Sequence, residues 1–209
     1  MEKVKAFLKR KNIVFSAKRY FIDAMSAMAQ GLFCSLLIGT IIKTLGQQLN
    51  LAFMVEMGGF ATAMAAPAMA VAIGYALQAP PLVLFSLAAV GQAANSMGGS
   101  GGPLAVFFIA IITAEIGKAI SKETKIDILV TPAVTVIVGG ICSFILCPVF
   151  KYVCNALGTF IGWSTNLQPF LMGIVISAVV GICLTLPISS AAICAAIGIS
   201  GGAVLAGLA

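Results

Sequence analysis

The sequence predicts an all-α, polytopic integral membrane protein, with about six to seven transmembrane or re-entrant helices and a glycine-rich break between two of them. The first observation behind this is composition. The chain has 209 residues, 61% hydrophobic and 9% charged, with a mean hydropathy of +1.13. Soluble domains carry roughly 25% charged and 45–50% apolar residues, and so few charges cannot cover the surface of one large globular core. The second observation is that long apolar runs are separated by short Gly, Pro and polar clusters. The third is the uneven placement of the basic residues.

Seven of the twelve basic residues lie in the first nineteen positions: Lys3, Lys5, Lys9, Arg10, Lys11, Lys18 and Arg19. The net charge of +6 is therefore not a nucleic-acid signal. A basic cluster beside a first span reads as a cytoplasmic anchor under the positive-inside rule, and it can touch anionic headgroups. Val4, Phe7, Leu8, Ile13, Val14 and Phe15 alternate with Lys and Arg, which suits an amphipathic helix in the inner interface. Residues 1–19 are thus set apart from a single transmembrane domain over 20–209. The apolar run that follows is too long for a signal peptide.

The first span is expected over residues 20–42, with Lys43, Gly46, Gln47, Gln48 and Asn50 as a polar outer turn. The second covers 51–77, kinked at Pro67, and Gln78-Ala79-Pro80-Pro81 ends it because tandem proline cannot continue a helix. Two short apolar pieces, 82–94 and 104–117, flank the break Met97-Gly98-Gly99-Ser100-Gly101-Gly102-Pro103, a discontinuous-helix pattern. A basic loop carries Lys118, Lys122 and Lys125 against Glu123. Residues 126–147 span next and are expected to stop at Pro148. Residues 148–168 read as an outer connector anchored by Trp163. Residues 169–186 span again, and after Pro187 comes a stretch rich in small residues.

With the N-terminus inside and every piece crossing, the 118–125 loop falls inside, and Lys43 and Lys151 fall outside. Ten of the twelve basic residues are then cytoplasmic, as the positive-inside rule asks. Ala72-Ile73-Gly74 recurs as Ala196-Ile197-Gly198, a weak hint of internal duplication in so Ala/Gly-rich a chain. The sequence stops at Gly207-Leu208-Ala209 without a polar tail, so the domain is expected to be C-terminally incomplete.

The polar residues narrow the chemistry. The chain has no histidine, which removes imidazole metal sites and Ser-His nucleophile pairs. Its six cysteines form no C-x-x-C pair and sit mostly in apolar runs, where free Cys packs as a small hydrophobe. No metal and no cofactor is expected, and no catalytic residue stands out. Glu115 is the leading substrate-binding candidate. A carboxylate in a spanning segment is costly and tends to be functional, and it can hold sugar hydroxyls by charge-assisted hydrogen bonds. The plainer reading is a helix-end ion pair with Lys118 at i+3 and Lys122 at i+7. Glu56, followed by Gly58 and Gly59, has the same two readings, binding or snorkelling outward. Gly98, Gly99 and Ser100 could lend backbone groups to a ligand or form a tight turn. Asn95 and Gln92 could bond a polyol or neighbouring helices. The glycine run lacks the Gly-Lys-Ser/Thr ending of a P-loop.

The blocks LQAPPLVLF, GGSGGPLAVF, AEIGK and SKETKIDILVTP between Tyr75 and Pro132, with LTLPISSAAI at 184–193, carry a family resemblance. The chain resembles the IIC-like membrane proteins of bacterial sugar phosphotransferase systems, and within them the branch containing perfringolysin O regulator proteins. The resemblance implies a homodimeric, multi-pass protein of the bacterial cytoplasmic membrane, in contact with the lipid bilayer, that binds a sugar. Separate IIB and IIA components in trans would phosphorylate the sugar. Better-known members use a Glu, often with a His, at the sugar; without a histidine that pair cannot be carried over. The chain offers no residue to carry the phosphoryl group. Three functions remain: a sugar-translocating IIC subunit, a IIC-derived regulator or sensor without transport, and an ion-coupled small-solute carrier.

Overall fold

The computed structural model describes residues 7, 10–13, 16–164, 173–174, 177–178 and 181. The span expected at 169–186 and the small-residue stretch at 188–209, with Cys183 and Cys194, lie essentially outside the described residues. The rest is helical: α1 (Lys18–Gln48), α2 (Ala52–Ala63), α3 (Ala65–Ala76), α4 (Pro81–Gly98), α5 (Gly102–Ile120) and α6 (Asp127–Ser164). Among the described residues three stretches are long and apolar enough to cross a membrane, or four if the bent pair α2–α3 counts as one span.

The chain runs back and forth between two ends of one bundle. Helix α1 contains two π-helical turns, Lys18–Asp23 and Phe33–Leu37, and packs antiparallel to α2–α3 through glycines. A Cβ on Gly31 would meet the Ala68 carbonyl oxygen at 2.6 Å, and one on Gly46 the Val55 nitrogen at 2.7 Å. Such close approach substitutes for the hydrophobic effect, which gives no advantage between helices in lipid. Helix α1 ends at Asn50, in the left-handed region (φ 53°), with Leu51 N–H on the Gly46 carbonyl at 2.8 Å. That is a Schellman stop, and Asn tolerates it well.

The kink in the second span sits at Met64, where α2 and α3 meet at 47°. Pro67 accounts for it: a proline ring clashes with the carbonyl four residues earlier, here Ala63, the last residue of α2. Helix α3 ends in a second Schellman pattern. Gln78 (φ 55°) donates to the Tyr75 carbonyl, and Ala79 to that of Gly74, both at 2.9 Å. Pro80 and Pro81 then start α4, Pro81 where a missing N–H costs nothing.

The stretch Pro81–Ile120 is 40 residues long but folds back on itself. Gly117 of α5 lies against Val83 of α4, and Gly98 against Ala105. The expected break is confined to one turn, Gly99–Gly101, and both limbs are longer than the sequence suggested. This hairpin is the centre of the bundle. Its apolar window is 56% buried, against 22% for α1 and for α6. Val83, Leu87, Val90, Val106, Phe107 and Ile109 form the core with Met28, Met69 and Ile73.

Helix α6 runs alongside the hairpin, with Gly139 against Val90 and the Cys147 thiol donating to the Ala94 carbonyl at 3.3 Å. Contrary to the expected stop, it continues through Pro148 to Ser164. A proline interrupts one step of the ladder, and membrane helices tolerate that. The connector expected at 148–168 is therefore helix up to that point. Phe85, Phe144 and Tyr152 point outward, 70–75% exposed, as lipid-facing residues do.

Gly91→Val should lower the thermal unfolding midpoint in detergent and cost about 1–3 kcal/mol, because a Cβ there meets Ala70 at 2.5 Å. Gly59→Ala, which enters open space, should change stability by less than about 0.5 kcal/mol.

Candidate functional site

The sequence candidates fall into groups at the two ends of the bundle. Glu115 lies near the end of α5, beside the N-terminal segment, the α3–α4 turn and the α5–α6 loop. Gly98, Gly99, Ser100 and Asn95 lie at the opposite end of the hairpin. At 1.5 Å per residue the thirteen steps from Gly102 to Glu115 separate them by about 20 Å. Gln92 is exposed on α4, and Glu56 is exposed on α2 with no ion pair among the described residues. The structure does not gather these residues into one pocket.

The basic end is built around Lys118. Its side chain is 1% exposed. Its ammonium reaches both Glu115 oxygens at 2.8 Å, and donates to the carbonyls of Leu77 at 3.1 Å and Asn12 at 3.2 Å. Arg19 donates to the same two carbonyls, at 2.6 Å and 3.0 Å. Leu77 is the last residue before α3 turns off, so its carbonyl belongs to the negative end of a helix, where cations are favoured. Tyr20, from the first turn of α1, interacts with the Glu115 carboxylate. Spacing alone identified the Glu115–Lys118 pair. It did not identify Asn12, Arg19, Tyr20 or the Leu77 carbonyl. Arg19 at the head of the first span and Gln78 before tandem proline were the available signals.

Residues 10–13 form a strap across this end. It turns at Asn12 (φ 53°) and buries Ile13, so the expected interfacial helix does not extend through residue 12. Arg10 and Lys11 pair with Glu123 at 2.6 Å and 2.5 Å, Lys11 also donates to the Ser121 carbonyl, and Asn12 donates to the Gln78 side chain at 2.5 Å. The hydrogen bond from Lys11 holds the Glu123 carboxyl below the usual carboxylate range, and the Arg10 charge adds to the effect. Two cavities open here, of about 400 Å³ and 360 Å³. Lys118 lines the larger and stands between it and Glu115.

The glycine end is explained largely by packing. Gly99 has φ 53° and ψ −119°, a conformation only glycine holds without strain. Gly101 lies against the Phe150 carbonyl at 2.8 Å for an added Cβ, and Asn95 covers Gly102. The Ser100 hydroxyl donates to Asn155 of α6 at 2.9 Å. Of the described cysteines, Cys147 and Cys154 are buried, and Cys34 is exposed.

Removing one partner from the Glu115–Lys118 pair leaves a buried charge without its counter-ion. Lys118→Met and Glu115→Gln should each cost about 3 kcal/mol. The double variant should lose less than the sum, by a coupling of about 0.5–3 kcal/mol. Thermal or denaturant unfolding of the four proteins in one detergent measures this.

No curated protein and no solved structure shows a significant match to the chain. The family described as "Phosphotransferase system, EIIC" matches residues 22–209, which takes in α1 from Ile22 and every helix after it. Together with the candidate spans, that makes this a multi-pass membrane component of a system whose other components are its partners: the chain belongs to the phosphotransferase system EIIC family.

Proposed function

We propose that the protein is the sugar-translocating IIC subunit of its phosphotransferase system, binding a sugar for phosphorylation by a separate IIB protein on the side of the strap. The observation that carries this reading is a carboxylate, Glu115, held at 12% side-chain exposure inside a membrane hairpin of an EIIC-family chain. An acid kept in such a place at such cost is a candidate for substrate contact. The strap and the 118–125 loop face the cytoplasm, and Gly99–Gly101, Lys43 and Lys151 face outward. The clustering of residues 10–12 with Lys118 and Lys122 at one end supports this orientation, because it puts the larger share of positive charge on one side.

In this reading sugar hydroxyls replace Lys118 on the Glu115 carboxylate, and Lys118 is the plug that a sugar displaces. Asn95, Gln92, Gly98, Gly99 and Ser100 act about 20 Å away, at the outer mouth, and Glu56 lies on the same outer half. The two groups serve successive positions of the substrate. The working unit is a homodimer. The engagement of both Glu115 oxygens by Lys118 favours a second reading, a IIC-derived regulator in which the pair is structural and no sugar crosses.

In proteoliposomes or in detergent, saturable binding of one sugar from a panel is expected, lost in Glu115→Gln and at least partly retained in Glu56→Gln. A well-folded protein that binds no sugar, with the other system components added, would favour the regulator.

A further inference from the structure

The larger cavity at the basic end has unbalanced charge. Arg10, Lys11, Lys118 and Lys122 line it, and Glu123 is the one carboxylate among its lining residues. Glu115 neutralises Lys118 from behind. Arg10 and Lys11 share Glu123, so one carboxylate serves two cations. The Lys122 side chain enters no salt bridge among the described residues. Asp127, which is not among the lining residues, accepts on one oxygen from the Lys122 backbone N–H at 2.7 Å and from the Thr131 hydroxyl at 2.5 Å, and its charge acts on Lys122 and Lys11. Among the lining residues three cations therefore face one acid, with Asp127 as a second acid outside the lining, so the space of about 400 Å³, within the size range of small-molecule sites, keeps a net positive charge.

The backbone provides a second observation. Four non-glycine residues have positive φ among the described residues, and three of them line this cavity: Asn12 at 53°, Gln78 at 55° and Lys122 at 63°. Each cavity wall turns on one of them. At Gln78 this is the helix stop of α3; at Lys122 the left-handed region is costly for the side chain, and such conformations gather where a site requires them. The Gln78 amide accepts from Asn12, and its own N–H groups have no partner among the described residues, so it brings unused donors to the wall.

We propose that this cavity binds a phosphate ester anion, gripped by Arg10 from the strap and Lys122 from the loop, with Gln78 donating between them. A phosphate monoester carries about −1.5 to −2 charges near neutral pH and three strong acceptor oxygens. The Arg10 fork suits two of these oxygens, and Lys122 supplies a point charge. A bound ester would tie the strap to the loop and complete the charge balance that Glu123 leaves unfinished. Two sources offer this monoester chemistry: a phosphorylated sugar, which rests on the translocation reading above, and the headgroup of phosphatidic acid, which does not.

The test uses the full chain in neutral detergent, with thermal unfolding followed against glucose 6-phosphate and inorganic phosphate, and sodium chloride at matched ionic strength as control. A parallel arm compares nanodiscs of phosphatidylcholine alone and with added phosphatidic acid, with phosphatidylglycerol as the anionic diester control. The phosphate probes should raise the midpoint where chloride does not. Arg10→Gln and Lys122→Gln, both exposed changes, should weaken that response about tenfold or more in apparent affinity. Glu123→Gln should strengthen it, because it removes the competing anion. Glu115→Gln, which frees the Lys118 charge at the cavity wall, should retain or strengthen it, so a failure of sugar binding at Glu115 reads out separately. A response confined to phosphatidic acid, absent with phosphatidylglycerol and lost in the same two variants, supports the site, with the headgroup as its ester. An equal rise with chloride, a response unchanged in both variants, or no response in any arm would overturn the proposal.

Discussion

A buried ammonium must find acceptors on every side, and Lys118 shows what that requirement imposes. Its charge sits at 1% exposure, where an unpaired cation would be prohibitively costly. Its acceptors come from its own helix, from the end of α3 and from the strap. Each of those elements must hold its position for the others to be satisfied. The Schellman turn at Gln78 presents the Leu77 carbonyl, the left-handed turn at Asn12 presents the second carbonyl, and Arg19 bonds both. The order of this whole end follows from one charge placed inside a membrane helix.

The hairpin α4–α5 then fixes what lies far apart. Because α5 retraces α4, the glycine turn and Glu115 occupy opposite ends of the bundle's centre. A single pocket that uses both is excluded in this arrangement, whatever substrate is carried. Any function for both groups must be sequential along the hairpin. Gly98 and Gly117 allow this close antiparallel contact, and Gly91 lets α3 approach α4 at Ala66 and Ala70; these small residues take the place of a polar lining through the middle.

Much of the fold was legible in the sequence. The apolar runs, the tandem proline at 80–81 and the glycine break located α1 through α5, because proline and glycine act locally on the backbone. Pro148 misled, since a single proline in a membrane helix removes one hydrogen bond without ending the helix. Of the site, the Glu115–Lys118 pair was visible because it is an i, i+3 relation on one helix. Asn12, Tyr20, Arg19 and the Leu77 carbonyl were not, because they approach from distant parts of the chain and one of them is a backbone group that no composition reveals. The glycine run was readable as either site or turn, and only its packing against Phe150 and Asn155 shows how much of it the turn alone explains.

The most direct test of this organisation is the solvent exchange of the Lys118 ammonium. It can be followed by nuclear magnetic resonance of protein carrying 15N-lysine, with the signal assigned by its loss in Lys118→Met. A slowly exchanging ammonium, displaced in Glu115→Gln and quickened by Arg19→Gln, is the expected result. A Lys118 signal that exchanges as fast as those of the exposed lysines, and ignores both changes, would contradict the buried, three-sided grip on which this end of the protein is built.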